Sequence, residues 1–84
     1  MSNVTVILRT ADRTRKAEVE VPRDMTGADL IQSAVTKWAL PTDTDYALVN
    51  ATKGRSLVPE GRLTEDVVGE RDELEVQPVL VAGV

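Results

Sequence analysis

One helical stripe decides most of what this chain can become. Leu30, Ile31, Ala34, Val35 and Trp38 recur at helical spacing and line one side of a helix. Thr26 is a good N-cap, with Asp29 three residues later approximating a capping box. Met25 and Leu30 are spaced as a hydrophobic staple. Pro41 closes the helix, because the residue before a proline avoids the α region. A single helix cannot bury its stripe alone. It needs a sheet with one apolar face to lie across.

The rest of the sequence supplies that sheet. Val4 to Leu8 reads as a strand, with Val4, Val6 and Leu8 on one face. Ala11 to Thr14 is a polar turn. Lys16 to Val21 then alternates, with Ala17, Val19 and Val21 opposite Lys16, Glu18 and Glu20. This half-buried strand pairs with the first as a hairpin and stops at Pro22. Tyr46–Val49, Ser56–Val58 and Leu74–Val76 are further short strands. Leu63 to Val68 reads as one helical turn capped by Thr64. The order β-β-α-β-β-β predicts an α+β domain: a mixed sheet of four to five strands with one helix packed across it.

Composition narrows the function. The chain has 84 residues and a net charge of −4, with no Cys and no His. It therefore lacks the usual zinc ligands, the commonest nucleophile and the commonest general base. No enzyme activity, metal or cofactor is expected. Lys and Arg are scattered among acids, without the basic stripe that tracks phosphates, so no nucleic-acid partner is expected. No stretch is long enough for a bilayer, and Met1-Ser2-Asn3 does not open a signal peptide. The expected setting is cytoplasmic, with no membrane partner, and the expected state is a monomer. The many Asp residues sit at turns and caps, which account for them without catalysis. Lys53-Gly54-Arg55-Ser56 lacks the earlier glycine of a phosphate loop.

Taken in order, four segments resemble the ubiquitin-like β-grasp family. They are Glu18 to Thr26 (strand into helix entry), Leu40-Pro41-Thr42-Asp43, Tyr46-Ala47-Leu48-Val49 followed by Lys53-Gly54-Arg55-Ser56-Leu57, and Arg62 to Val68. The resemblance runs from Val4 to Gly83. It implies a ubiquitin-like domain over 1–78 and an extended C-terminal tail over 79–84. Ala82-Gly83 falls where conjugated members carry their terminal Gly-Gly. Val79, Leu80, Val81 and Ala82 would be the tail that enzymes recognise, and Gly83 and Val84 would flank the processing site.

The resemblance implies the chemistry too. A modifier's terminal carboxylate is activated by an ATP-using enzyme, passed to a carrier enzyme's thiol, and joined to an amine of a target protein. A glycine suits this because it has no Cβ and permits close approach. The implied partners are an activating enzyme, a carrier (conjugating) enzyme, a processing peptidase that removes Val84, and target proteins. Lys16, Lys37 and Lys53 are the candidate acceptor lysines. Leu48 aligns with the exposed apolar residue of the family's main recognition patch and is a candidate partner surface, although strand alternation leaves its facing open. The closest competing reading is a non-conjugated adaptor, like the YukD-type proteins associated with type VII secretion, which are similar from Tyr46 to Val76. A sulfur carrier ranks below both, since it normally ends on its glycine.

Overall fold

The structure is a computed structural model and describes residues 2–79. Its elements run β1 (Asn3–Thr10), β2 (Lys16–Pro22), α1 (Gly27–Trp38), β3 (Asp45–Asn50), β4 (Arg55–Leu57) and β5 (Asp72–Val79). They form one five-stranded sheet in the order β2-β1-β5-β3-β4. The central pair, β1 and β5, is parallel, and the remaining pairs are antiparallel. A parallel pair needs a long crossover. Here α1 and the β3–β4 hairpin supply it. The expected α+β architecture is present.

The strand alternation explains the core. Leu8 lies opposite Leu74, and Leu48 lies opposite both Val76 and Leu57. Those pairs, with Val4, Val6 and Val21, turn to the same side of the sheet and meet Leu30 and Ala34 of α1. Trp38, Ile31 and Met25 pack on the rim of that cluster. The cap is as expected: the Thr26 hydroxyl accepts the Asp29 amide at 3.1 Å. The helix stops at Trp38, and its C-cap Ala39, two residues before Pro41, adopts a left-handed φ of 51°.

Two polar clasps hold the long return loop before β5. The Arg23 guanidinium donates to the carbonyls of Leu63 and Val68 at 3.1 and 2.9 Å. Asn50, fully buried, donates to the Val67 carbonyl and to the Asp72 carboxylate, both at 2.9 Å. Leu63 and Val68 thereby seal the end of the core.

Three local expectations are refined. The fourth strand is shifted to Arg55–Leu57, and Val58 lies outside it, 63% exposed. The segment after Leu63 closes a single turn, with the Thr64 carbonyl accepting the amides of Val67 and Val68, but does not propagate as a helix. Val79, expected to open the tail, still pairs with Asp45. The strand also absorbs Pro78. The Val76 carbonyl accepts from Ala11 of β1's end, whereas Glu73 faces β3. By alternation, Pro78 turns its missing N–H toward the side where β1 has already ended. No ladder bond is lost there, which is the position a strand proline needs.

Candidate interaction surface and C-terminal tail

The face of the sheet away from α1 is not covered by any described residue. Its rows are set by pairing: Glu18, Ile7 and Glu73 in one, and Lys16, Arg9, Glu75, Val49 and Ser56 in the next. Gln77 and Ala47 follow. Arg9 sits at the centre. Its Nη1 donates to Glu73 at 3.0 Å and its Nε to Glu75 at 3.1 Å. Lys16 Nζ lies 3.6 Å from Glu73, and Gln77 donates to Glu75 at 2.6 Å. Arg71 pairs with Glu18 at 2.5 Å. Ile7, Ala47 and Val49 are half-buried among these groups. The result is a charge-balanced, internally paired surface with Ile7 on one side of β5 and Ala47 and Val49 on the other.

β5 is described as far as Val79. The Thr44 hydroxyl donates to the Val79 carbonyl at 3.4 Å, and Tyr46 lies opposite Pro78. Beside this end of the described strand is an open cleft of about 490 Å³, lined by Trp38, Leu40, Pro41, Tyr46, Val76 and Pro78 among others. The Tyr46 hydroxyl donates to the Pro41 carbonyl at 2.7 Å and braces one wall. Asp12 stands on the opposite rim. The Thr10 hydroxyl and the Thr14 amide and hydroxyl hydrogen-bond its carboxylate and lower its pKa from 3.8 to about 2.

Leu48 is corrected by the structure. It is 1% exposed and belongs to the core, not to a partner surface. Its pairing with Val76 and Leu57 fixes it on the helix side, so its neighbours Ala47 and Val49 take the open face. A slip of one residue in a strand exchanges the faces. The lysines differ in setting. Lys16 is bridged to Glu73, Lys53 lies 3.8 Å from Asp72, and Lys37, exposed in the last turn of α1, forms no ion pair among the described residues. Leu80, Val81, Ala82, Gly83 and Val84 lie outside the described residues.

Sequence reasoning missed the Arg9 fork and the buried Asn50–Asp72 pair. The signals were there: Glu73 and Glu75 alternate with Leu74 and Val76, and Asn50 has the strand parity of Leu48. Burial pushes the Asp72 carboxyl up. Hydrogen bonds from Asn50 and from the Gly69 amide, with the Lys53 charge, outweigh this and hold it below its ordinary value.

Neither a protein-family model nor a curated protein matches the sequence. Solved structures do. The chain is similar to Caldiarchaeum subterraneum ubiquitin at 23% identity, covering 98% of this chain and 100% of that one, with a TM-score of 0.74. It is similar to a protein described as a molecular mimic of SUMO that promotes DNA repair, at 22% identity, covering 95% and 94%, with a TM-score of 0.73. The ubiquitin-like domain of an Arabidopsis thaliana protein matches at 20% identity, covering 100% and 85%, with a TM-score of 0.71. At these identities the likeness is one of fold. Strand order, the single crossing helix and these likenesses together give the chain a ubiquitin-like β-grasp fold.

Proposed function

We propose that the chain is a ubiquitin-like protein modifier, conjugated through Gly83. The observation that carries this reading is the place of Val79, which still pairs with Asp45 at the last described position of β5 and precedes Gly83 by four residues. If extended, those four residues would span about 13 Å, long enough to enter a narrow enzyme channel while the domain stays outside. A peptidase would cleave the Gly83–Val84 bond, whatever follows Val84. The freed carboxylate would attack the α-phosphorus of ATP and release pyrophosphate. A carrier thiolate would then displace AMP to give a thioester, and a target amine would displace the thiol. The open sheet face, with Ile7, Ala47 and Val49 set among its ion pairs, would dock the enzymes or readers that handle the domain.

That same face favours a second reading. A non-covalent adaptor would use these aliphatic and charged side chains and need no glycine. Intact mass spectrometry of the protein recovered from its native host separates the two. The modifier reading expects a chain ending at Gly83 and heavier covalent adducts that a Gly83→Glu variant no longer forms. Protein that keeps Val84 and forms no adducts overturns it. If a Val49→Arg variant then loses its binding partners, the adaptor reading stands in its place.

A further inference from the structure

The outer edge of β2 carries a self-complementary charge pattern. The Arg15 carbonyl accepts the Thr10 amide, and the Arg23 backbone amide donates to the Ser2 carbonyl. The odd-numbered residues of β2 therefore turn their backbone groups toward β1. By alternation the N–H and C=O groups of Lys16, Glu18 and Glu20 point outward, with no further strand beyond β2 among the described residues. The same three side chains lie on the open face, while Ala17 and Val19 lie half-buried on the helix side. Pro22 offers no N–H at one end, and the turn before Lys16 closes the other.

We propose that two copies of this chain pair through β2, antiparallel about a two-fold axis at Glu18, to form one continuous ten-stranded sheet (twice the five of one copy). The charge order selects this arrangement. In the antiparallel register each Lys16 faces Glu20 of the second copy, twice over. At the axis the two Glu18 carboxylates meet, each already held by its own Arg71 at 2.5 Å. A parallel in-register pairing would set like charge against like along the whole edge, which is unfavourable. The helix-side row would join Ala17 to Val19 across the axis. Because the contact is isologous it closes as a dimer and leaves no β2 edge exposed. This departs from the monomer expected from sequence. It does not depend on the chemistry of the C-terminus.

Sedimentation of the full chain across concentrations up to about 1 mM tests it, a range in which a weak pair becomes populated. The expected result is a doubling of sedimenting mass. Lys16→Glu and Glu20→Lys should each weaken the pair by about tenfold or more, since two cross-strand pairs reverse sign together. The double reversal in one chain should restore it. Amide exchange gives a second readout. At high concentration the amides of Lys16, Glu18 and Glu20 gain protection, while those of Ala17 and Val19 do not change. A chain that stays monomeric throughout, single reversals that pair as well as the parent, or a double reversal that fails to recover overturns the proposal. Recovery by Lys16→Glu with Glu18→Lys instead would also overturn it, because it would place the axis at residue 17.

Discussion

Leu48 and Val49 are neighbours in β3, yet they answer to different constraints. Leu48 lies on the helix side among Val76, Leu57 and Leu30, and its whole side chain is removed from water. Val49 lies on the open side between Glu75 and Ser56, half-buried by charged and polar neighbours. The same contrast repeats along β1, where Val6 and Leu8 alternate with Ile7 and Arg9, and along β5, where Leu74 and Val76 alternate with Glu73 and Glu75. One face holds the domain together by excluding water. The other carries ion pairs that water can still reach.

The sharpest way to break this contrast is to truncate the two neighbours in turn. Leu48→Ala should cost about 2–5 kcal/mol, the loss of transferred apolar surface plus the cavity left behind. A domain of this length has on the order of 4–12 kcal/mol in total, so much of its stability would go. Val49→Ala should cost about 1 kcal/mol or less. Urea unfolding of both variants checks it. Similar costs would mean that the open face is as structural as the core.

The next effect lies where a polar pair enters the buried face. Asn50→Ala would leave the Val67 carbonyl without its donor and take one hydrogen bond from Asp72. A loss of about 2 kcal/mol is expected, the usual penalty for orphaning buried polar groups. The Asp72 carboxyl also gives this site a pH dependence. Its folded pKa lies below the ordinary 3.8, so its contribution is fully present above 3.8 and fades as pH falls through the folded value. The stability gap between the parent and Asp72→Asn should therefore close in acid. Denaturant midpoints measured from neutral pH down to strongly acid pH give the answer, and a gap that stays constant would remove Asp72 from the latch.

Much of the buried face was legible in the sequence, because period-two alternation in β1, β2 and β5 and helical spacing in α1 each reflect which side meets water. The Thr26 cap was legible for the same reason: its partner is local. What the sequence did not yield depends on register between distant strands. Nothing within Tyr46-Ala47-Leu48-Val49 says which pair faces inward, since all four are apolar or amphipathic. Only the pairing of Leu48 with Val76 and Leu57 decides it. The Arg9 fork likewise joins residues more than sixty positions apart. The left-handed φ at Ala39 had no glycine or asparagine to announce it.

The open face should give the smallest effect on stability. Arg9→Met keeps an unbranched, mostly apolar stem but leaves Glu73 and Glu75 side by side without the cation between them. Arg9 and Glu75 retain only 16% and 14% of their side-chain exposure, so their pair is better shielded than most surface ion pairs. A cost of about 1 kcal/mol is still the expected upper range, because the pair also lost hydration when it formed. That cost should shrink in about 1 M salt, where screening acts within roughly 3 Å. The loss from Leu48→Ala should not, since apolar burial carries no charge to screen. Parallel unfolding curves for the two variants in low and high salt would read the contrast directly. If Arg9→Met costs as much as Leu48→Ala, or resists salt equally, the ion-pair network is part of the core and the face is less free for a partner. A small, salt-sensitive loss leaves Ile7, Ala47 and Val49 framed by charges that a partner can rearrange without unfolding the sheet beneath them.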